Sequence, residues 1–330
     1  MSLTAGPRPI GVLAAIVQGF ERVAARPSLI LPPILIDLLL WLGPRLGARQ
    51  LIEQASKWLA PPAGMSGAIA EQWTLVQDSL QTAAEGFNLL SLLSTVPVGL
   101  PSLMAGRMPV QAPWSPVGGS QLDRPEAVMV LWLGLTALGL TLGALYQLSL
   151  ARALSPGVTL SPPWRAAARV ILFALLLFLG FALAGGVLLL AVGMATLLLP
   201  LIGAGVLFLG FSLLFWVGIY LSFTPHGIVR YNLGVIRAML ESFALVRWNM
   251  LSTVGFFVLA LGITWLANLV WSLPASSSWF ALLAILGHAF VSTMILTGSY
   301  AFYQGRREWL VAYRQALASA QPRDGGGVGA

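Results

Sequence analysis

The chain has 330 residues, of which 58% are hydrophobic and only 9% are charged, and its net charge is +7. A soluble globular domain has about 25% charged residues, so this composition excludes an ordinary soluble domain and predicts a polytopic membrane protein. The basic residues lie in short stretches between apolar runs, which argues against nucleic-acid binding. Cysteine is absent, and His226 and His288 do not have the spacing of a zinc site. The sequence therefore predicts no metal and no cofactor.

The predicted fold is all-α, with six membrane-spanning helices. A span needs about 20 predominantly apolar residues. Six segments meet this requirement: Ser28–Gly43, Ala127–Leu150, Val170–Ala191, Leu197–Phe223, Ser252–Trp271 and Phe280–Tyr303. They divide the chain into an N-terminal amphipathic helix with the first span (1–43), an outward-facing segment (44–126), a five-span bundle (127–304) and a cytoplasmic tail (305–330).

The first predicted span is short and carries Pro32, Pro33 and Asp37. An ionisable side chain inside a span costs about 2.5–3.5 kcal/mol on insertion scales, so it normally faces a partner or a cavity. One interpretation gives Asp37 a functional partner in another span. In the alternative, Asp37 is neutral, or it reaches a hydroxyl or backbone group near the kink that the two prolines create.

The outward segment begins with two predicted helices. Ser66–Leu93 has an apolar stripe at three- and four-residue spacing, which is typical of an amphipathic helix. Its acidic residues, which recur every seven positions on another face, are Glu71, Asp78 and Glu85. Leu51–Leu59 is predicted as a shorter helix in which Glu53 pairs with Lys57.

The remainder of the outward segment, from Pro97 to Pro125, is rich in proline and glycine, and these residues exclude a long helix. It also contains apolar residues such as Leu103, Met104 and Trp114. We therefore expect this stretch to lie on the outer leaflet or to enter it.

Two stretches of the chain align without gaps: "GVLAAIVQGFERV", from Gly11, and "GVIRAMLESFALV", from Gly234. Each leads directly into a predicted pair of spans. Before the third span, "SPPWRAAARV" supplies a shorter basic stretch, with Ser161 as the predicted N-cap and Pro163 in the first turn. The pattern predicts three units, each a basic amphipathic interfacial helix followed by a two-span hairpin. Chance similarity between amphipathic helices is the alternative.

Arginines in the short loops mark the cytoplasmic side, and they predict a bacterial inner-membrane protein with both termini in the cytoplasm. Those expected to face anionic lipid headgroups are Arg22, Arg26, Arg165, Arg169, Arg230, Arg237 and Arg247. Thr224-Pro225 is predicted to end the fourth span, and His226 is predicted to be a solvated loop residue. Arg237 and Glu241 are four residues apart and are predicted to pair.

The two aligned stretches and the hairpins that follow them resemble a group of bacterial polytopic membrane proteins. This group includes the membrane domain fused to some glycerophosphodiester phosphodiesterases and stand-alone relatives of uncharacterised role. The resemblance covers the chain except for 44–126 and implies its architecture. It implies no activity, because fused members carry a separate catalytic domain and these 330 residues provide none.

The candidate intramembrane polar site consists of Asp37, His288, Ser292 and Thr293. Asp37 and His288 are predicted at comparable depths, where an acid and an imidazole would form a proton- or cation-responsive pair. The hydroxyl groups of the sixth span have an alternative role in hydrogen bonds between helices. The same alternative applies to Gln147, and Gly139 and Gly143 in the second span predict a close helix contact.

No catalytic residue is predicted, because the sequence contains neither the common phosphate-binding and metal-binding motifs nor a nucleophile elbow. The leading hypothesis is a non-enzymatic protein that organises lipids or a membrane protein partner. The alternative is a carrier or permease for a small or lipid-like molecule that uses Asp37 and His288. A central cavity holding both would favour the carrier, and a filled core would favour the organising protein. A membrane enzyme, the third hypothesis, requires converging polar side chains beside a cleft.

Overall fold

The computed structural model describes residues 9–59, 68–95, 98–109, 111–113, 119–155, 157 and 159–320. Within these ranges the protein is almost entirely helical. The α-helices are α1 (Val12–Ala25), α2 (Leu31–Leu42), α3 (Arg49–Leu59), α4 (Ala68–Gly86), α5 (Leu103–Arg107), α6 (Pro125–Leu154), α7 (Pro163–Leu198), α8 (Pro200–Leu221), α9 (Thr224–Tyr231), α10 (Val235–Trp248), α11 (Met250–Trp271) and α12 (Ala281–Ala320). Outside these helices lie the 3₁₀ helices Pro27–Ile30 and Leu89–Ser94 and the parallel two-residue strands β1 (Leu46–Gly47) and β2 (Ser120–Gln121).

Five stretches of the described chain are long and apolar enough to cross a membrane. They are α6, α7, the run from Pro200 to Tyr231 that joins α8 and α9, α11, and Ala281–Tyr313 within α12. They correspond to the five spans predicted for the bundle, although the fourth begins at Pro200 and the last at Ala281. The prediction of a helical chain with several helices able to cross a membrane is therefore confirmed, and these helices suggest a multi-pass membrane protein.

The first predicted span, Ser28–Gly43, does not qualify as a span by itself and follows a sharp bend in the chain. α1 and the stretch Pro27–Leu42 meet at an angle of 100°. α2 has 12 residues, a length of ~18 Å, whereas the hydrocarbon core of a bilayer is about 30 Å thick. The bend lies at Arg26 (φ −138°, ψ 72°), because the residue before a proline is disfavoured from the helical conformation. A sixth span exists only if the bent pair is counted as one.

Helices continue through two of the predicted boundaries. α7 runs unbroken from Pro163, so the second unit has no separate lead-in helix; its N-cap is Pro162, and Pro163 occupies the first turn as predicted. Ser161 does not cap α7: its hydroxyl donates to the Ile228 carbonyl at 2.5 Å. α12 continues beyond 304 to Ala320, so the first part of the predicted tail belongs to the last helix.

The two aligned stretches form equivalent helices. α1 and α10 each have 14 residues and follow a glycine in nearly the same extended conformation: Gly11 has φ −66° and ψ 157°, and Gly234 has φ −65° and ψ 154°. The positions that both helices bury are Ala15 and Ala238, Gly19 and Ser242, and Val23 and Val246. Chance similarity does not require the same cap and the same buried face, so the structure favours an internal repeat.

α1 packs against α12 with its backbone in close contact. A Cβ added at Gly19 would overlap the Met294 carbonyl oxygen and the Gly298 backbone nitrogen, and one added at Gly298 would lie 3.0 Å from the Ala15 carbonyl oxygen. Small residues on both helices are what permits this approach. The first and the last of the described helices are thereby joined.

α10 packs in the same way on the helix that precedes it, at the break between α8 and α9. Ser242, the counterpart of Gly19, donates its hydroxyl to the Tyr220 carbonyl at 2.6 Å and accepts from the Phe223 amide at 3.1 Å. It thus satisfies backbone groups that the broken helix leaves open. The predicted end of the fourth span at Thr224-Pro225 is wrong: α8 ends at Leu221, and Thr224-Pro225 begins the short buried helix α9 within the same candidate span.

The first turns of α7 complete the pattern by packing on α6. Ala166, Val170 and Phe173 share a buried cluster with Leu140, Ala144, Leu148 and Ala151 of α6. Each unit therefore places its first helical segment against the second span of the unit before it, and α1 on α12 closes the ring.

The outward segment folds back into this ring. Gly139 and Gly143 of α6 do not contact another span: a Cβ at either position would overlap carbonyl groups of Leu92 and Leu93 or of Val98. Farther along, Leu100, Leu103 and Met104 are buried in one cluster with Trp41, Leu40, Tyr146 and Ala284. The stretch from Pro97 to Pro125 was expected to lie on the outer leaflet or to enter it. Its residues Leu100, Leu103 and Met104 instead pack inside the helix bundle.

The predicted helices of the outward segment are partly confirmed. α3 matches Leu51–Leu59 and begins two residues earlier, and Glu53 pairs with Arg49 at 2.7 Å; the Lys57 side chain lies outside the described part. Ser66–Leu93 is two elements, because Asn88 interrupts it and accepts from the Leu90 amide at 3.1 Å to start the 3₁₀ helix. The expected exposed acidic face is seen at Asp78 and Glu85, and the Glu71 side chain is not described.

Gly19→Ala tests the α1–α12 contact. We expect it to lower the melting temperature of the detergent-solubilised protein, because the added methyl group overpacks the contact at a typical cost of about 1–3 kcal/mol. Gly262→Ala on α11 is the matched control, since a Cβ there meets nothing within 4 Å. Equal melting temperatures for the two variants would contradict the close contact.

Candidate functional site

Asp37 is fully buried and caps the short helix α5. Its carboxylate accepts from the Ser102 hydroxyl at 2.5 Å, the Met104 amide at 2.8 Å and the Leu103 amide at 3.2 Å. A carboxylate at a helix N-terminus satisfies free amide groups and the positive end of the helix dipole. This arrangement corresponds to the interpretation in which Asp37 reaches a hydroxyl and backbone groups.

The other end of α5 is held as well. The Arg107 guanidinium donates to the Trp271 carbonyl and, at 3.3 Å, to the Pro274 carbonyl, both just at the end of α11. α5 is thus fixed at both ends by charged side chains, one from α2 and one of its own.

The four predicted site residues have two different roles, and each role is shared by two of them. Thr293 is buried, donates to the Ala289 carbonyl at 2.5 Å and contacts the Tyr146 hydroxyl at 2.7 Å. Thr293 and Asp37 therefore hold helices and segments together. None of the donors to Asp37 is His288, and within the described residues Nδ1 of His288 has no hydrogen-bond partner. His288 and Ser292 instead line a cavity.

The cavity has a volume of about 650 Å³ and lies at the centre of the ring, among α6, α7, α8, α9, α11, α12 and residues 94–95 and 99–102. Its size is within the range of about 300–1,000 Å³ that small-molecule sites occupy. Most of its wall is apolar and aromatic, with Phe173, Phe223, Phe256 and Leu296 among the contributing residues. None of the described lining residues is Asp, Glu, Lys or Arg.

Polar groups lie along the α12 wall of the cavity. Toward the C-terminal side, His226 Nε2 and Ser299 Oγ are 2.8 Å apart. Ser299 also donates to the Leu296 carbonyl at 2.7 Å, so His226 is the donor in the bond between them. Gln147, another lining residue, accepts from the Tyr300 hydroxyl at 2.7 Å. Toward the N-terminal side, Ser292 donates to the His288 carbonyl at 2.7 Å.

One side of the cavity is open. Leu261 lines it, yet this residue has 65% of its surface exposed. Leu261 is at the middle of α11, opposite Phe181 and Gly218 of the α7–α8 hairpin, which also line the cavity. Since α11 is long and apolar enough to span a membrane, the opening lies midway along a candidate span.

Two of the predicted surface positions are buried. His226, expected to be solvated, is 6% exposed, and Arg230, expected to face lipid headgroups, is also 6% exposed, with its guanidinium 5.1 Å from the Tyr231 ring centroid. Arg169 is half-buried and donates to the Asn232 carbonyl at 2.7 Å. The arginines that are exposed as expected are Arg22, Arg26, Arg165, Arg237 and Arg247.

Glu241 does not take Arg237 as its partner. It pairs with Arg307 of α12 at 2.6 Å and accepts from the Tyr303 hydroxyl at 2.5 Å. The i,i+4 rule for a helix surface fails here because a neighbouring helix supplies a closer cation.

No protein-family model, no curated protein and no solved structure matches this chain. The candidate site therefore depends on the geometry alone. Residues 94–95 and 99–102 and the His226–Ser299 pair were not predicted as part of a site, because their place on the cavity wall depends on packing between units. The one available signal was the placement of polar residues, such as Ser299, in a span.

Asp37→Asn tests the cap on α5. An asparagine retains only one acceptor oxygen, so at least one buried donor loses its partner at a cost of about 1–3 kcal/mol. We expect faster amide hydrogen exchange at residues 102–107 and a lower melting temperature. The control is Asp78→Asn on the exposed face of α4. Unchanged exchange at residues 102–107 would show that Asp37 does not fix α5.

Proposed function

We propose that this protein binds a small amphipathic, lipid-like molecule in the central cavity and acts as a carrier for it in a bacterial inner membrane. The observation that carries the proposal is the cavity itself: a filled core would have favoured a purely organising protein. Its apolar wall with few polar groups is the usual composition of a small-molecule site. Asp37 takes no direct part in this proposal; it holds in place the segment that supplies one wall.

The lateral opening supports a ligand that comes from the bilayer. With α11 crossing the membrane, Leu261 lies near the bilayer midplane, where only lipid tails and apolar solutes are abundant. A polar metabolite from water would instead need an opening at one end of the bundle. The cavity and its opening together favour a lipid-like ligand.

A second candidate function, contact with anionic lipids at the cytoplasmic surface, is supported by α1 and α10. Both present exposed apolar residues, Leu13 and Phe20 in α1 and Ile236 and Leu240 in α10. Exposed arginines lie on the same helices. Helices of this kind bind at the interface of a membrane with anionic headgroups. We propose that this side is cytoplasmic, with both termini, as the arginine distribution predicts. We also propose that the chain shares the architecture of the bacterial polytopic membrane proteins that its two aligned stretches resemble.

Filling the cavity tests the carrier proposal. Gly218 faces the cavity, and a Cβ there would have only the Phe181 ring within 4 Å, at 3.9 Å; Gly218→Phe therefore occupies ligand space. We expect native mass spectrometry from lipid nanodiscs to show a lipid-like molecule retained by the wild type and lost by Gly218→Phe. Gly262→Phe, at an open position on α11, is the control and should retain it.

The proposal fails if the wild type retains only bulk lipid, or if all three proteins retain the same molecule equally. Equal melting temperatures of the two variants would show that any loss does not come from unfolding.

A further inference from the structure

We infer that the ligand of this cavity is a lipid with an uncharged, hydrogen-bonding polar group, such as a hydroxyl, and that the His226–Ser299 end receives that group. The inference rests on the proposed function and deepens it. It follows from what lines the cavity, from the position of its opening and from the arrangement of the polar side chains.

The lack of charged residues on the described cavity wall excludes a ligand with an ionised head group. The described lining residues include no Asp, Glu, Lys or Arg. Two charged groups close to the lining residues are committed elsewhere: Asp37 to α5, and Arg107 to carbonyls at the end of α11. Arg230, one turn beyond His226, lies against Tyr231 and is not a lining residue. An anion or cation brought into such a cavity would lose its hydration without gaining a counter-ion, which is strongly unfavourable.

The opening excludes an ionised head for a second reason. A ligand that enters beside Leu261 passes the middle of α11, and a charge near the bilayer centre is costly. A phosphate or carboxylate group would have to cross this region, whereas a hydroxyl would cross at a much smaller cost. The opening beside Leu261 and the uncharged cavity wall thus both favour a lipid with an uncharged head group.

The polar groups that remain suit a hydroxyl. The Ser299 hydroxyl donates to the Leu296 carbonyl and accepts from His226, so its remaining lone pair can accept a hydrogen bond from a ligand hydroxyl. His226–Ser299 and His288–Ser292 are separated by 11 positions along α12 between His288 and Ser299, or ~16 Å. Apolar residues such as Ile295 and Leu296 fill the interval. A polar head at one end with an apolar chain along the wall fits this arrangement.

We assign the head to the His226–Ser299 end because that end is the more enclosed. His226 and Ser299 are 6% and 8% exposed, whereas His288 and Ser292 are half-buried. At a buried polar end, a hydrogen bond from the ligand stabilises the complex more, because no water is present to make that hydrogen bond instead.

The test uses two lipids that differ in one group: dioleoylglycerol and dioleoylphosphatidic acid, which have the same chains and differ by the phosphate. Each is supplied to the wild-type protein in nanodiscs of phosphatidylcholine, and retention is measured by native mass spectrometry. We expect dioleoylglycerol to be retained at least about tenfold more than the phosphatidic acid. We also expect the Gly218→Phe variant to lose it.

Ser299→Ala tests the assigned end. It removes one hydroxyl and should lower dioleoylglycerol retention by about three- to tenfold, as the loss of one hydrogen bond does. The exposed Ser79→Ala on α4 is the control. Unchanged retention in Ser299→Ala would overturn the assignment of the head to this end.

The outcomes separate the two proposals. Equal or greater retention of the phosphatidic acid, still lost in Gly218→Phe, would overturn the uncharged-head inference and leave the binding function in place. If neither probe is retained, the charge of the molecule that co-purifies with the wild type decides: an uncharged lipid supports the inference and an ionised one overturns it. If nothing co-purifies either, both proposals are overturned.

Discussion

The close contact of α1 with α12 is the constraint on which the rest of the structure depends. Hairpins of apolar helices have little reason to enclose a space, because lipid solvates their sides as well as another helix does. Here the glycines at 19 and 298 let two backbones touch, and this contact joins the first unit of the chain to the last. The same relation, with Ser242 at the equivalent position, joins the third unit to the second. A chain of hairpins thereby becomes a ring with an interior.

Residues 98–107 close one side of the interior, and contacts with the rest of the protein hold them in place. Residues 98–107 are short of regular structure and need their backbone groups satisfied inside the bundle. Asp37 does this for the amides at the start of α5, and Arg107 ties the other end of α5 to the carbonyls of Trp271 and Pro274 at the end of α11. The same contacts explain why the segment can line a cavity, at Ser94 and at Gly99–Ser102, while its apolar residues pack among α2, α6 and α12. Asp37 thus influences the cavity through the segment it holds.

Much of the architecture could be predicted from the sequence, because apolar length and the position of arginines are local properties. The repeat was visible in the letters, and the matching caps at Gly11 and Gly234 agree with it. The site could not be predicted to the same degree. A pair of Asp37 with His288 was one of two interpretations, and the structure matches the other: Asp37 accepts from a hydroxyl and two backbone amides at the N-terminus of α5, a partner segment that no pattern in the span reveals. Arg230 and His226 were expected at the surface, because no local sequence pattern predicts the short helix α9. Both residues are buried where this helix packs. Glu241 was expected to pair within its helix, and α12 supplied Arg307 instead.

We propose that the ring encloses a cavity that opens between the α7–α8 hairpin and α11 and holds a lipid. A cryo-EM map of the protein in lipid nanodiscs would show this directly. We expect elongated non-protein density that enters beside Leu261 and Gly218 and ends next to Ser299. A map in which α8 packs on α11, Leu261 is buried and protein side chains fill the space would contradict it.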